Sequence, residues 1–267
     1  MLLDGKATAE DIYKLLAPKF EGIGRRARLG IIVGEHNPVI ESFVRIKTRA
    51  AERLGIQVVR VDLSVAPTTE DAVAAVKKLA TETDSVIVQL PLPKNINTND
   101  ILAAIPPEKD VDALNPTVPD DKHPVFAPVA LAVVELLKRG GVDVAGKRTV
   151  VVGAGRLVGA PSAVLLKRLG ARVSLFTLQE GSIEDLKDAD IVVCGAGNPG
   201  FIKPEHLKQG VALIDAGASE SKGRVVGDAD PACAEIASVF SPVPGGVGPV
   251  AVAMIFKNLF DLLVKHR

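Results

Sequence analysis

The stretch RTVVVGAGRLVGAP at 148–161 decides the fold. It begins with branched apolar residues typical of a buried parallel strand, passes through three glycines and leads into an apolar helical pattern. A glycine loop between a strand and a helix directs backbone N–H groups at the positive end of the helix, where a pyrophosphate can bind. The spacing is GxGxxxG rather than GxGxxG, so a glycine turn that only packs the helix against the sheet remains the alternative.

Four more short apolar segments follow in the same half of the chain, and most of them end in glycine or another small residue. They are ARVSLFT at 171–177, ADIVVCGAG at 189–197, GVALIDAG at 210–217 and ASVFSPV at 237–243. Open parallel sheets bind ligands at the carboxyl ends of their strands. The pattern therefore predicts a Rossmann-like doubly wound parallel sheet, with these cofactor-binding residues: Gly153, Gly155, Arg156, Val158, Gly159, Gly195, Gly197, Asp215 and Gly217.

The first half of the chain predicts a second α/β domain. RLGIIV at 28–33, IQVVRVDL at 56–63 and SVIVQLPL at 85–92 are predicted strands, and 39–55 and 68–82 have helical spacing between them. The Pro- and Asp-rich stretch 106–124 predicts a loop at the domain border, followed by a helix at about 128–139. We expect two α/β domains with a cleft between them, formed by 1–125 plus 246–267 and by 126–245.

Composition limits the possible partners and the compartment. The 267 residues include 32 Lys plus Arg and 32 Asp plus Glu, so no net charge favours nucleic acid or an acidic membrane. Cys194 and Cys233 lack a CxxC context, which argues against a zinc cluster or a disulfide framework and fits a reducing cytoplasm. The first residues predict an amphipathic helix rather than a signal peptide or membrane span. We expect no nucleic-acid partner, no membrane and no metal.

A second glycine-rich segment, SPVPGGVGP at 241–249, precedes an apolar helix predicted at roughly 247–265. Pro242, Pro244 and the glycine pair give a pre-shaped loop that presents backbone N–H groups, although a plain turn before a terminal helix explains the same sequence. Its distant companions are Lys47 in ESFVRIK and the segment VQLPLP at 88–93. These three features together indicate a site.

The ordered segments VGEHNPVIESFVRIK, VQLPLP, PEKDVDALNP, VVVGAGRLVGAP, ADIVVCGAGNPGFIK and SPVPGGVGP resemble the bifunctional methylenetetrahydrofolate dehydrogenase/methenyltetrahydrofolate cyclohydrolase family. The resemblance covers nearly the whole chain, and VQLPLP and PVPGGVGP are its most specific parts. It implies a homodimer joined through the nucleotide-binding domains. It also implies oxidation of 5,10-methylenetetrahydrofolate by hydride transfer to NADP, followed by hydrolysis of the methenyl product to 10-formyltetrahydrofolate.

The resemblance assigns roles to individual residues. Lys47 matches the family's catalytic lysine, Gln89 the glutamine that orients it, and Asp112 the aspartate that binds the pterin ring. Without these companions, Lys47 would be taken for a solvated helix lysine. The substrate-binding residues implied are Phe43, Leu90, Pro91, Pro244, Gly245 and Gly246.

Two departures from the family pattern bear on function. Phe43 stands where the family usually has tyrosine, which removes a hydroxyl from the substrate site and motivates an alternative, a dehydrogenase with weakened cyclohydrolase. Ala154-Gly155 and the stretch 177–180 replace the residues that usually hold the 2′-phosphate, and Glu180 would repel it. The family favours NADP and these residues favour NAD. A non-catalytic dinucleotide-binding regulatory protein is a third hypothesis.

Overall fold

The computed structural model describes residues 1–64, 67–120, 122–177, 179–221 and 224–265. The chain forms two compact units, and each is made of two separate pieces of sequence. Residues 11–126 and 255–267 make one, called here the three-stranded unit. Residues 1–10 and 127–254 make the other, called the five-stranded unit.

The three-stranded unit is a parallel sheet with helices. Its strands have the order β2-β1-β3, with β1 at Arg28–Val33, β2 at Gln57–Asp62 and β3 at Ser85–Gln89. Strand β3 ends three residues before the predicted boundary, because Pro91 has no N–H to donate to a ladder. Its helices are α2 (Pro38–Arg53), α3 (Thr69–Glu82) and α4 (Thr98–Ala103). Helices α1 (Gly5–Glu21) and α7 (Val247–Lys265) contribute residues to both units.

Local side chains fix where the two long internal helices begin. The side chain of Asn37 accepts hydrogen bonds from the N–H groups of Val39 and Ile40, which caps α2. Thr68 and Asp71 form a reciprocal capping box at the start of α3, as the threonine and acid pattern of the sequence predicts. The start of α2 places Lys47 in the third turn of a helix whose register is set at its first residue.

The five-stranded unit carries the sheet predicted for the second half. Its parallel strands follow the order β10-β7-β6-β4-β5 and are β4 (Arg148–Val152), β5 (Arg172–Phe176), β6 (Ile191–Cys194), β7 (Ala212–Asp215) and β10 (Val239–Ser241). Helices α5 (Pro128–Arg139) and α6 (Gly159–Arg168) belong to it. An antiparallel pair of short strands, β8 (Ser219–Ser221) and β9 (Arg224–Val226), was not expected from the sequence.

Each unit has its own apolar core. In the three-stranded unit the core includes Ile32, Val76 and Leu102, all without solvent exposure. In the five-stranded unit it includes Val192, Leu213 and Cys194, again without exposure. The branched aliphatic runs of the sequence predict strands that are covered on both faces, and the burial agrees with this prediction.

The compact units differ from the predicted domains at residues 1–10 and 246–254, which group with the five-stranded unit. The cause is backbone pairing: the N–H of Leu3 donates to Phe240 at 2.8 Å and the N–H of Phe240 donates to Met1 at 2.9 Å. The N–H of Gly5 also donates to the carbonyl of Gly245 at 2.9 Å. The compact units and the predicted domain bounds differ there, because such pairing leaves no local pattern in the sequence.

Helix α7 is long and apolar enough to cross a membrane by length and composition alone, and 50% of its most apolar window is buried in the structure. Asn258, in the middle of this helix, is itself buried. The core helix of a soluble protein meets the same criteria, so this feature does not test the expectation of no membrane.

Candidate active site

Lys47 and Gln89 are joined by a direct hydrogen bond. The ammonium group of Lys47, on α2, donates to Oε1 of Gln89, the last residue of β3, at 2.8 Å. Nε2 of Gln89 donates to the carbonyl oxygen of Leu90 at 2.8 Å, which fixes the orientation of the amide. Because a lysine ammonium can only donate, the amide oxygen must face it. The pairing predicted from sequence is present.

Asp112 completes the charged set in this unit. Burial lowers the pKa of Lys47, and the negative charge of Asp112 opposes this effect. Burial raises the pKa of Asp112 to about 6, while Lys47 lowers it and Asp110 adds to the rise. Both groups therefore change protonation closer to neutral pH than an exposed lysine or aspartate does, which suits them to proton transfer.

Residues 109–112, called here the KDVD turn, hold Asp112 in place. Nζ of Lys109 donates to the carbonyls of Ala80 and Thr83, the latter at 2.8 Å, where α3 ends. The buried carboxylate of Asp110 accepts from the N–H groups of Leu114 at 2.8 Å and Asn115 at 2.7 Å. Lys109 and Asp110 are therefore structural, which leaves the second acid of the turn available for substrate.

Asn258 anchors the same turn from helix α7. Its Nδ2 donates to the carbonyls of Val111 and Phe126, both at 2.8 Å. Sequence reasoning missed this residue. The available signal was a single amide in the mostly apolar stretch 251–264, whose other polar residues are Lys257 and Asp261, and it indicates a buried polar group with specific partners.

The other predicted substrate-binding residues of this unit are at least partly accessible. Phe43 lies one helical turn before Lys47 and its side chain is 45% exposed. Leu90 is half-buried and Pro91 is exposed, directly after Gln89. An exposed aromatic ring beside a half-buried lysine is consistent with a surface that contacts a ligand.

In the five-stranded unit, the loop after β4 depends on glycine for packing. A Cβ on Gly159 would lie 1.9 Å from the carbonyl oxygen of Gly153, and one on Gly195 would lie 2.3 Å from Cγ1 of Val158. Gly153 has a φ of +89° and approaches the Gly195 carbonyl. These glycines serve helix and sheet packing, the alternative considered for the motif. Phosphate binding is compatible with that role, because Gly155 and neighbouring Arg156 are exposed.

Asp215 is the last residue of β7, at the strand end where the sequence places it, and its side chain bonds to the protein. Its carboxylate is buried and accepts backbone hydrogen bonds from Gly217 and Ala229, both at 2.9 Å. Burial raises its pKa to about 6. Because its oxygens already bond to the protein's own backbone, this side chain has a structural role, and a contribution of Asp215 to cofactor binding stays a prediction. Gly217 also packs internally, since a Cβ there would lie 2.4 Å from Cγ of Asp228. Gly197, by contrast, is exposed.

The glycine pair of SPVPGGVGP divides between two roles. Gly245 has a φ of +103° and no atom within 4 Å of the position of a Cβ, so its backbone is open to a ligand. Gly246 is buried, and a Cβ there would lie 2.5 Å from the carbonyl oxygen of Pro242. Pro244 is exposed. Of the two glycines, only Gly245 is placed for the predicted close approach of a ligand.

The turn after β5 contains the residues that depart from the family's phosphate-binding pattern. Oγ1 of Thr177 accepts from the N–H groups of Gln179 at 3.2 Å and Glu180 at 3.1 Å. Glu180 is exposed, whereas Leu178 lies outside the described residues. The sequence has no basic residue in 177–181, so this turn offers no cation to a phosphate.

Comparison with known proteins places the chain in a family. Residues 3–112 match the family model of the tetrahydrofolate dehydrogenase/cyclohydrolase catalytic domain, and residues 127–267 match that of the NAD(P)-binding domain of the same enzymes. The chain belongs to the tetrahydrofolate dehydrogenase/cyclohydrolase family, as its sequence resemblance predicted. The five-stranded unit therefore contains most of the NAD(P)-binding domain, residues 127–254.

Full-length relatives agree with this assignment. The chain is 36% identical to the bifunctional protein FolD of Methanoculleus marisnigri, over 97% of this chain and 95% of that one. The crystal structure of the bifunctional FolD enzyme of Campylobacter jejuni matches with a TM-score of 0.94 and 30% identity, covering 100% of this chain and 99% of the other. FolD of Trypanosoma brucei, complexed with NADP cofactor and inhibitor, matches with a TM-score of 0.93 and 34% identity, covering 100% and 98%. The predicted fold class and the prediction of a bifunctional enzyme are confirmed, and the alternatives are not favoured.

Proposed function

We propose that this protein oxidises 5,10-methylenetetrahydrofolate with a nicotinamide dinucleotide and hydrolyses the resulting 5,10-methenyltetrahydrofolate to 10-formyltetrahydrofolate. The single observation that carries the proposal is the set formed by Lys47, Gln89 and Asp112. It combines a lysine of lowered pKa, an oriented acceptor and a carboxylate of raised pKa in one unit. Family membership supplies the reaction class.

In the first reaction, a hydride leaves the methylene carbon of the folate and reaches the nicotinamide ring, which supplies the electron acceptor when bound. The folate product is a cation. Asp112 holds the pterin by accepting hydrogen bonds from its amino-pyrimidine edge, and its negative charge stabilises the cation that forms. Phe43 contributes an exposed aromatic face against which the folate packs.

In the second reaction, water adds to the methenyl carbon, the bond from that carbon to N5 breaks and one proton is released. Burial disfavours the charged form of Lys47, so a neutral amine forms more readily there than on an exposed lysine and accepts a proton from the attacking water. Gln89 fixes the position of Nζ through the 2.8 Å hydrogen bond. The substrate's own positive charge lowers the proton affinity of Lys47 further.

We assign NADP as the cofactor, with NAD as the second candidate. NADP is supported by the related Trypanosoma brucei enzyme, which is described with NADP bound, and by Arg156, whose guanidinium is suited to a 2′-phosphate. NAD is favoured by the exposed Glu180 after β5, because an acid at this place in the fold accepts hydrogen bonds from a ribose hydroxyl and repels a phosphate. The ratio of kcat/KM values for the two dinucleotides distinguishes them.

We also propose a cytoplasmic homodimer joined through the nucleotide-binding domains, on the strength of the family resemblance. Light scattering on the purified protein would give the oligomeric state directly. A mass equal to a single 28.0 kDa chain at micromolar concentration would contradict the dimer.

The function is tested by following methenyltetrahydrofolate and reduced dinucleotide together after adding methylenetetrahydrofolate. Wild-type protein should reduce the dinucleotide and consume the methenyl species, and Lys47→Met should abolish the hydrolysis. Lys77→Met is the matched control, because Lys77 is an exposed lysine on α3. Hydrolysis by Lys47→Met at the wild-type rate would remove Lys47 from the mechanism, and absence of both activities in the wild type would overturn the proposed function.

A further inference from the structure

Two buried carboxylates, Asp215 and Asp228, bind neighbouring backbone segments of the five-stranded unit. Neither side chain is exposed by more than 1%. Each of them accepts three hydrogen bonds, and every donor is a backbone N–H group. We call Asp215 and Asp228 the carboxylate pair.

Asp228 binds the loop that follows β6. Its carboxylate accepts from three successive N–H groups, those of Ala196 at 2.6 Å, Gly197 at 3.1 Å and Asn198 at 2.7 Å. Three consecutive amides that converge on one carboxylate form a small anion-binding concavity. The path of residues 196–198 is therefore set by a side chain 30 residues or more away in sequence.

Asp215 in turn fixes the segment that carries Asp228. Located at the carboxyl end of β7, it accepts from the N–H groups of Asp228 at 3.2 Å and Ala229 at 2.9 Å. The hydrogen bonds therefore form a chain: Asp215 at the end of β7 binds residues 228–229, and Asp228 binds residues 196–198. A displacement at either carboxylate is transmitted to the loop after β6.

Two glycines make room for the carboxylate pair. A Cβ on Gly217 would lie 2.4 Å from Cγ of Asp228, and one on Gly227 would lie 2.0 Å from Oδ2 of Asp215. Each acid therefore packs against a glycine beside the other acid. Such reciprocal fit indicates that the two side chains are positioned as a unit rather than buried by chance.

The loop after β6 supports the glycine loop after β4. A Cβ on Gly153 would lie 2.7 Å from the Gly195 carbonyl oxygen and 2.9 Å from Cα of Ala196. These distances leave no room for a side chain between Gly153 and residues 195–196, so the two backbone segments are in direct contact. Residues 195–196 therefore determine where the backbone at Gly153 lies. Residues 195–198 thus connect the carboxylate pair to the proposed phosphate-binding loop, because they bond to Asp228 and contact Gly153.

We propose that Asp228 is a positioning residue for dinucleotide binding, that it acts by holding residues 196–198 against the glycine loop, and that Asp215 supports it. The inference rests on the proposed function, since it concerns the dinucleotide site of that enzyme. Neither acid touches the dinucleotide in this account. The effect is confined to dinucleotide affinity, because hydrolysis of methenyltetrahydrofolate consumes no dinucleotide and uses Lys47 of the other unit.

The test is the Asp228→Asn variant of the full-length protein, which keeps the size of the side chain but replaces one acceptor by an amide donor. The KM and the directly measured Kd for the dinucleotide should rise about tenfold or more, because small displacements of a binding loop are costly. Methenyl hydrolysis should remain within about twofold of the wild type. The matched control is Asp230→Asn, because Asp230 only caps a short helix and asparagine caps equally well.

A second pair of variants separates positioning from general loss of structure. Asp215→Asn should also raise the dinucleotide KM. The KM of the double variant should not exceed that of the worse single variant, because both substitutions act through one loop. If Asp228→Asn does not fold, Gly217→Ala displaces the same carboxylate and provides the measurement.

An unchanged dinucleotide Kd in a folded Asp228→Asn or Gly217→Ala protein would overturn the inference, and so would an equal loss of hydrolysis. Failure of the proposed function looks different, because then the wild type itself would show neither activity.

Discussion

The ammonium nitrogen of Lys47 lies 2.8 Å from Oε1 of Gln89, and the amide nitrogen of Gln89 is held by the carbonyl of Leu90. The lysine therefore meets a neutral acceptor whose orientation is fixed from its far side. A neutral partner leaves the lowered pKa of Lys47 in place, whereas a carboxylate at the same position would reverse it.

Gln89→Glu tests that relationship. The new carboxylate should raise the pKa of Lys47, so the rise of the hydrolysis rate with pH should move to higher pH by about 1 unit or more. The measurement is a pH–rate profile for hydrolysis. Gln57→Glu, the same change at an exposed residue of β2, should leave the profile in place. An unmoved profile in Gln89→Glu would show that proton transfer does not pass through Lys47.

Protonation of Asp112 should lower the rate of the dehydrogenase reaction at acid pH, which gives its pH–rate profile an acid limb. Its pKa is raised to about 6 by burial, so lowering the pH through 6 converts the carboxylate to the neutral acid, which no longer makes the charge-assisted contact with the pterin. We expect kcat/KM for methylenetetrahydrofolate to fall below pH 6 and to be flat above it. Asp112→Asn should be slow at every pH and lose the limb. A limb that persists in Asp112→Asn would belong to another group.

Phe43→Tyr restores the hydroxyl that the family usually has. The ring is 45% exposed, so the added oxygen meets no packed core. If the hydroxyl assists proton transfer, hydrolysis should accelerate by about tenfold or more relative to dehydrogenation. The ratio of the two rates is the measurement, and Phe43→Leu provides the comparison for ring packing alone. An identical ratio in Phe43→Tyr and wild type would mean that this chain performs hydrolysis without that group.

Asn258→Leu should destabilise the three-stranded unit. The change leaves the carbonyls of Val111 and Phe126 without their donor, at a cost of about 2 to 5 kcal/mol in the free energy of unfolding. Urea denaturation followed by circular dichroism measures the loss. Because Asn258 holds the KDVD turn, the KM for folate should also rise. A loss below about 0.5 kcal/mol would indicate that water replaces the amide.

Gly5→Ala should be poorly tolerated although it is a small change at the start of a helix. A Cβ at Gly5 would lie 1.7 Å from the backbone carbonyl oxygen of Gly246, so the backbone itself must move, at about 3 kcal/mol. Gly22→Ala, where the nearest atoms are 3.5 Å away, should change stability by less than about 0.5 kcal/mol. Equal melting temperatures for the two variants would contradict the close approach.

The sequence was informative wherever the signal was local. Alternation of apolar runs predicted β1 and β4 to within a few residues, and the family segments led to Lys47, Gln89 and Asp112. The residue types at such a site are set by its chemistry rather than by packing, so they are diagnostic.

The supporting residues could not be read in the same way. Asp228 and Asn258 act on backbone groups that are distant in sequence and brought near by folding, whereas Asp110 bonds within its own turn. In a single sequence, a buried acid or amide looks like any loop or helix residue. Asp215 illustrates this difficulty: its place at the end of β7 suggested a ligand, and its three backbone partners reveal a structural role that the sequence does not show.

The interleaving of the two units affects the order in which the chain can fold during its synthesis. The amino group of Met1 donates to the carbonyl of Ser238, a separation of 237 positions, and neighbouring residues pair with Phe240. A ribosome covers that distance on the order of tens of seconds. Throughout that interval residues 1–10 lack the segment around Phe240 with which they pair, and the three-stranded unit still lacks residues 255–267. The three-stranded unit cannot be completed until the whole five-stranded unit has been made, so we expect nascent chains to depend on chaperones for longer than those with two contiguous domains.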